Sequence, residues 1–185
     1  SNMTRTAHKY GMVVDTIACV GCSACTLACR SENEVPEGLS RRWVNQETRG
    51  SFPDLKMKIW SESCQHCENA PCVKNCTTGA SFIDDFTGTV QVERDLCTGC
   101  KACMASCPYD ARYIHPTGYV DKCTLCHHRI TGGLETACET VCPTSAIVVG
   151  DLNDPGSEIS QLLRKRKFEQ RRTAAGTRPK FFLLV

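Results

Sequence analysis

Sixteen cysteines in 185 residues constrain this chain more than any other feature. They fall into four groups of four, with none left over. Cys19, Cys22, Cys25 and Cys29 are spaced x2-x2-x3. Cys64, Cys67, Cys72 and Cys76 are spaced x2-x4-x3. Cys97, Cys100, Cys103 and Cys107 repeat x2-x2-x3, with Pro108 next. Cys123, Cys126, Cys138 and Cys142 are spaced x2-x11-x3. An internal repeat of this kind predicts four copies of one small unit.

Three chemistries compete for such cysteines. Disulfides between near neighbours would close loops too short to constrain the unfolded chain much. Zinc takes its ligands as two close pairs separated by a longer stretch. An iron–sulfur cluster fits by spacing, because C-x2-C-x2-C-x3-C-P is the run by which bacterial ferredoxins hold [4Fe–4S] clusters. Three thiolates of such a run grip one cluster from a wrapped loop. The fourth points toward another cluster, and the proline turns the chain away. Small residues between ligands, Gly99 and Ala102, let backbone N–H groups approach the sulfur atoms. Zinc remains the rival reading, as a redox-silent interaction scaffold.

Cysteine at roughly 9% of the chain is the range of folds built on disulfides or metals. Aromatic residues make up only 6%, so the expected apolar core is small and metal sites supply much of the folding free energy. The formal charge of +2 becomes about −6 once four clusters, each about −2 with its thiolates, are counted. The basic residues then read as counter-charges or docking surfaces, and no basic stripe interleaved with aromatics points to nucleic acid. No P-loop, G-x-G-x-x-G or Ser/His/Asp arrangement is present, so the chain reads as a non-catalytic component. Ser1-Asn2 reads as an expression scar, no secretory h-region follows Met3, and no run reaches the roughly 18 apolar residues of a membrane helix. The expectation is a soluble chain that folds where thiols stay reduced.

Gly11–Asp15 and Thr89–Glu93 read as strands ahead of groups one and three. Thr78–Ile83 and Pro143–Val149 read as turn-then-strand segments after groups two and four, with Asp84–Gly88 as a hairpin turn. Each Cys-x3-Cys run is expected to open a short helix. The hairpin between groups two and three suggests one module from those two groups, leaving one and four for the other. The pairing of one with two and three with four also stands. Within the polar stretch 30–63, Leu55–Trp60 alternates like a strand. Two readings stand for it: a partner-docking arm, or a β-hairpin covering the core. Residues 157–172 read as a helix with Ser157 as N-cap. Its basic run Arg164–Lys167 reads as a solvated face or a dock for an acidic partner or lipid headgroups. The apolar end, residues 177–185, reads as an edge strand or a tail buried against another subunit. His66, His127 and His128 stand near cysteines, but each group already has four thiols. They read as donors to cluster sulfur or as exposed side chains.

CVGCSACTLACRSENEVPEG, CQHCENAPCVKNCTTGASF, CTGCKACMASCPYDARYIHP and YVDKCTLCHH resemble the iron–sulfur subunits of respiratory molybdoenzymes of the dimethyl sulfoxide reductase family. The resemblance is to the electron-transfer subunit of polysulfide or thiosulfate reductase, and almost as much to that of the formate-dependent nitrite reductase system. It covers about residues 10–155 and Gly176–Lys180. It implies an α+β fold of tandem bacterial-type 2[4Fe–4S] ferredoxin-like modules, with a β-hairpin insertion and a C-terminal helix and tail. Residues 10–30 with 109–150 would form module 1 and 61–108 module 2. Residues 31–60 would be the insertion, and 151–185 the C-terminal part. It further implies nested pairing: Cys19, Cys22, Cys25 and Cys142 on one cluster; Cys29, Cys123, Cys126 and Cys138 on a second; Cys64, Cys67, Cys72 and Cys107 on a third; Cys76, Cys97, Cys100 and Cys103 on a fourth. Thr77 departs from the family's proline, and a local backbone change without loss of a cluster is expected there. The resemblance implies partners too, a molybdopterin catalytic subunit and an integral-membrane quinone-binding anchor, with no span of the chain's own. Folding in the cytoplasm and export with a signal-bearing partner would follow. The missing leader favours the sulfur-compound type over the nitrite type. An alternative keeps the clusters but passes electrons from quinol to a multihaem cytochrome without molybdenum.

Overall fold

The computed structural model describes residues 6–185. The readings of Ser1-Asn2 and of the start at Met3 lie outside the described residues. In chain order come β1 (Tyr10–Asp15), α1 (Ala24–Glu32), β2 (Arg42–Arg49), β3 (Lys56–Ser63) and α2 (Pro71–Lys74). Then follow β4 (Ser81–Ile83), β5 (Val90–Val92), α3 (Ala102–Ser106), β6 (Tyr113–Ile114), β7 (Val120–Asp121) and α4 (His127–Ile130). The last are α5 (Ala137–Val141), β8 (Ile147–Asp151), α6 (Glu158–Lys165), β9 (Phe168–Glu169) and β10 (Phe181–Leu184). This is an α+β chain of short elements. Every Cys-x3-Cys run lies on or at the end of a short helix. The strands read around groups one to four are β1, β4, β5 and β8.

The main sheet has the order β8-β1-β10-β9. β1 runs antiparallel to β8 and parallel to β10, with Met12 beside Phe181 and Val14 beside Leu183. Met12, Val13 and Val14 form a continuous apolar run because both faces of β1 are covered. Ile159 of α6 packs with Val13 and Leu184 on one side. Cys25, Cys138, Trp60 and Leu125 pack with Met12 and Val14 on the other. β4–β5 and β6–β7 are separate two-stranded hairpins, and Cys64, Cys67, Cys72 and Cys103 fill the space beside them.

Two expectations change. The helix from Ser157 ends at Lys165, well short of 172. Ser157 does cap it, accepting the Ser160 N–H. Arg166 then turns extended and clamps the Asp15 carboxylate with a 2.7 Å bond. That turn releases Phe168 to pair with Leu184, so tertiary pairing overrides helix propensity. The C-terminal segment is neither an edge nor a tail. β10 lies inside the sheet between β1 and β9, which buries Phe181, Leu183 and Leu184 within this chain.

Within the stretch 30–63, after the end of α1 and a loop, lies a hairpin, β2 paired with β3 from Arg42–Ser63 at its base to Arg49–Lys56 at its tip. Its base covers the core: Arg42, Trp60, Ser61, Glu62 and Ser63 are buried. Its tip projects, with Phe52 88% exposed.

Candidate metal centre

All four cysteine groups wind the backbone the same way. The second residue after each first cysteine is left-handed: Gly21, His66, Gly99 and Leu125. Glycine adopts this freely. At Gly99 it is also required by space, since a Cβ would lie 2.6 Å from the Gly118 carbonyl oxygen. His66 and Leu125 hold the same conformation at φ 45° and 56°, a strain of about 1–3 kcal/mol each that the surroundings must hold in place. The winding points amides at sulfur. The His66 N–H reaches Cys64 Sγ at 3.4 Å and the Leu125 N–H reaches Cys123 Sγ at 3.3 Å. Ser81 N–H donates to Cys76 Sγ, Val120 N–H to Cys97 Sγ and Ala146 N–H to Cys142 Sγ. The turns after Cys76 and Cys142 match, each with a left-handed residue three positions on, Gly79 and Ser145. The amide that reaches sulfur differs, lying five residues on after Cys76, where Thr77 stands in place of proline, and four residues on after Cys142.

Cys19, Cys22, Cys25 and Cys142 line one cavity. Cys29, Cys123, Cys126 and Cys138 line a second. Groups one and four thus share two spaces. Cys64, Cys72 and Cys107 are neighbours of Cys67. Cys97 and Cys72 are neighbours of Cys103; Cys76 follows α2, which packs on α3, and Cys100 stands exposed just before α3. The helices explain how adjacent spaces are spanned. Cys25 and Cys29 are one turn apart on α1, a rise of about 6 Å along the axis, and they line different cavities. No disulfide joins any of the sixteen. A zinc site draws its ligands to about 2.3 Å from one point; among the described residues no three His, Cys, Asp or Glu side chains converge that way.

Burial pushes the Cys29 thiol up to about 12, helped by Cys123. Burial also pushes Cys67 up to about 12, against a hydrogen bond from Thr177, and Cys138 up to about 11, against the pull of Arg42. These sites favour the neutral thiol until something with strong positive charge binds the sulfur. At Cys76 burial acts upward too, but the Ser81 N–H and the Thr78 hydroxyl outweigh it and lower the thiol.

The sequence suggested basic counter-charges without saying which residues they are, and the structure identifies them. Arg41 is neutralised by Asp121, both nitrogens bonding at 3.0–3.1 Å. Arg42, Lys122, Lys180 and Arg112 are 1%, 1%, 2% and 5% exposed, and among the described residues no carboxylate is a hydrogen-bond partner of any of them. Arg42 donates to Ser61 Oγ, Ser63 Oγ and Met12 Sδ. Arg112 donates to Ser81 Oγ, and its Nη1 has no partner in the described chain. Lys122 bonds the carbonyls of Val90 and Cys123, and Lys180 that of Gly88. Burial opposes the Arg42 charge, yet Cys138, Cys123, Cys25 and Cys29 more than restore it; Cys72, Cys64 and Cys103 do the same for Arg112. An unpaired buried ion costs several kcal/mol. Arg42 and Arg112, set among buried thiols, fit a bound group of net negative charge, as a thiolate-held [4Fe–4S] cluster is; burial and Lys9 lower Lys180 to about 8, which makes its charge the weakest of the four. A lone Arg or Lys in a polar stretch carries no sequence signal of burial. Only the adjacency of Lys122 to Cys123 hinted at one.

His66 is buried, not exposed. Burial, with Lys122, Lys180 and Arg112 nearby, holds it neutral. Its Nδ1 accepts the Val90 N–H at 3.0 Å, so the proton sits on Nε2, which has no partner in the described chain. His128 is exposed and meets Glu32, and His127 meets Asp84.

Comparison with known proteins adds the following. The 4Fe-4S dicluster domain family matches residues 55–152. Protein NrfC of Escherichia coli K12 is 50% identical over 177 residues, 94% of this chain and 79% of that protein. A polysulfide reductase chain of Wolinella succinogenes is 44% identical over 182 residues, 96% of this chain and 95% of that one. A tetrathionate reductase subunit of Salmonella typhimurium is 39% identical over 182 residues, 96% of this chain and 72% of its own length.

Proposed function

The chain belongs to the 4Fe-4S dicluster family of reductase iron–sulfur subunits, and on that premise we propose that it holds four [4Fe–4S] clusters in series and relays electrons between two partner subunits. It is an electron-transfer subunit, and its cofactors are [4Fe–4S] clusters. The reading in finer detail is two ferredoxin-like modules in tandem, residues 10–30 with 109–150 and residues 61–108, with the nested cysteine sets as ligands. One observation carries it: two cavities, each lined by four cysteines from groups one and four.

When bound, such clusters supply one-electron redox chemistry. The chain's own work is to space, shield and bias them. Each Cys-x3-Cys helix gives its two cysteines to different sites about one turn apart, so neighbouring sites are joined by a single rigid element. Buried thiols and apolar lining keep water from the inner sites. Amide N–H groups at sulfur and buried cations favour the more negative, reduced state. Cys22 and Cys100 are exposed, which puts the first and fourth sets at the surface, where a partner can exchange electrons with them.

The partners in this reading are a molybdopterin catalytic subunit and a quinone-linked membrane anchor. Among the described residues no helix is long and apolar enough to cross a membrane, so membrane association would come through a partner. The test is metal and haem analysis of the tagged chain, purified without oxygen from its native cells with whatever binds it. About sixteen irons per chain, with molybdenum or tungsten in a large partner, is the expected result. Haem without molybdenum would replace the catalytic subunit by a cytochrome partner. Zinc without iron would overturn the reading.

A further inference from the structure

We propose that Arg42 and Arg112 set reduction potentials, each as one fixed buried positive charge shared by the two neighbouring clusters of its half of the molecule. The inference rests on the four-cluster reading and assigns roles that ligand spacing does not supply.

The two guanidiniums are placed alike although nothing in the sequence relates them. Arg42, on the insertion hairpin, lines the second cavity and donates to Ser61 Oγ at 3.1 Å. Ser61 Oγ lies 3.1 Å from Cys25 Sγ, and both line the first cavity. The guanidinium thus spans from one cysteine set to the next. Arg112, in the loop before β6, donates to Ser81 Oγ at 2.9 Å. The Ser81 N–H donates to Cys76 Sγ at 3.4 Å. The sulfurs facing Arg112 are Cys72 and Cys64 of the third set and Cys103 of the fourth. In both halves an arginine and a serine bridge two sets.

The neutral contacts of these arginines do not account for their charge. Among the described residues Arg42 bonds two hydroxyls and a thioether, which an uncharged amide could serve equally. Arg112 leaves Nη1 without a partner in the described chain. Arg41, next in sequence, shows the ordinary solution, a bidentate carboxylate. Arg42 and Arg112 lack one, so their counter-charge is the bound group. A cation in a low-dielectric interior stabilises the added electron more than the oxidised cluster. It therefore raises the potential of every cluster it faces. One charge shared by two clusters raises both together, keeping them level for transfer between them.

The test is a potentiometric titration followed by electron paramagnetic resonance on the complex purified without oxygen. R42Q should lower two of the four midpoints, each by about a tenfold change in the reduction equilibrium, which is 59 mV for one electron. R112Q should lower the complementary two. R42K and R112K, which keep the charge, should hold all four within about threefold of the parent. Full iron content with all four midpoints unmoved in R42Q and R112Q would overturn the proposal, as would movement of a single cluster in each. Should R42Q or R112Q come out short of iron, the Lys variant decides. Retained midpoints support the charge, and midpoints lowered tenfold despite the retained charge sink it. The parent's iron content tests the four-cluster reading separately: about sixteen irons with unmoved midpoints refutes only this inference.

Discussion

The half of the molecule around the first two cavities and the half around groups two and three are stabilised differently. In the first, cysteines share a core with Met12, Val14, Trp60, Leu125, Ile130, Ile147, Phe181 and Leu183, backed by a four-stranded sheet. In the second, half of the ten buried core members are cysteines: Cys64, Cys67, Cys72, Cys103 and Cys123. The other buried members are Ala70, Ala111, Val90, Val120 and Tyr109, with Trp43, Val73, Ile83, Met104 and Ile114 partly buried against them. Its sheets are two isolated hairpins, which are marginal by themselves in water. The same ligand pattern is thus built once onto a core backed by a four-stranded sheet and once onto a core in which cysteines take half of the buried places. The second half is therefore expected to lean more on its bound groups to stay folded.

Removing the iron puts the largest strain on that contrast. Chelation under anaerobic conditions should release the amides of Val90–Val92 and Val120 to exchange at least a hundredfold faster, on the order expected for sub-global unfolding. The amides of Met12–Val14 and Phe181–Leu184 should keep most of their protection. Hydrogen exchange by mass spectrometry reads both, and equal loss in both halves would break the comparison.

Core truncation sharpens it from the other side. Phe181→Ala should cost about 3–5 kcal/mol in the iron-loaded protein. Val90→Ala, in the hairpin half, should cost about 1–2 kcal/mol. Urea midpoints followed by circular dichroism compare the two, and similar losses would show that the hairpin half has more apolar support than its contents suggest.

A smaller effect tests the seam between the halves. The Tyr109 hydroxyl bonds Thr177 Oγ1 at 2.7 Å and the Arg171 carbonyl at 3.2 Å, tying the hairpin half to the segment before β10. Tyr109→Phe should cost about 1 kcal/mol and should speed exchange around Thr177 more than within β1.

The smallest effect is pH-dependent and belongs to the sheet half. Burial acts to raise the Asp15 carboxyl, but Arg166 and the Ile17 and Ala18 amides outweigh it and lower it. A carboxyl lowered on folding adds stability that is complete above its unfolded value, near 4, and fades as pH falls through its folded value. Because the pair is partly exposed, the effect is at most about 1 kcal/mol. Asp15→Asn should flatten the loss below about pH 4, measured as urea midpoints against pH. An unchanged acid slope would remove Asp15 from the account.

Much of the architecture was legible because ligand geometry is local. A thiol every three or four residues demands tight winding, so short helices at the Cys-x3-Cys runs, the strands beside them and the 84–88 turn could all be read from neighbours in sequence. The helix after Ser157 was read too long because its stop is a distant carboxylate, Asp15. The tail was misread because its partner, β1, lies some 170 residues earlier, and parallel pairing over that span leaves no local pattern.

By itself the sequence determined the chemistry: sixteen thiols in four groups, spaced for iron–sulfur clusters by short-range geometry that a linear pattern can record. Only the tertiary structure decided which groups share a space, which strand lies at the sheet's centre, and where charge is buried. Arg41 and Arg42 are adjacent and identical on paper. One meets Asp121, and the other meets four cysteines. Both are buried, and the difference comes from what distant segments bring against each: β7 carries Asp121 to Arg41, and the cysteine loops close around Arg42.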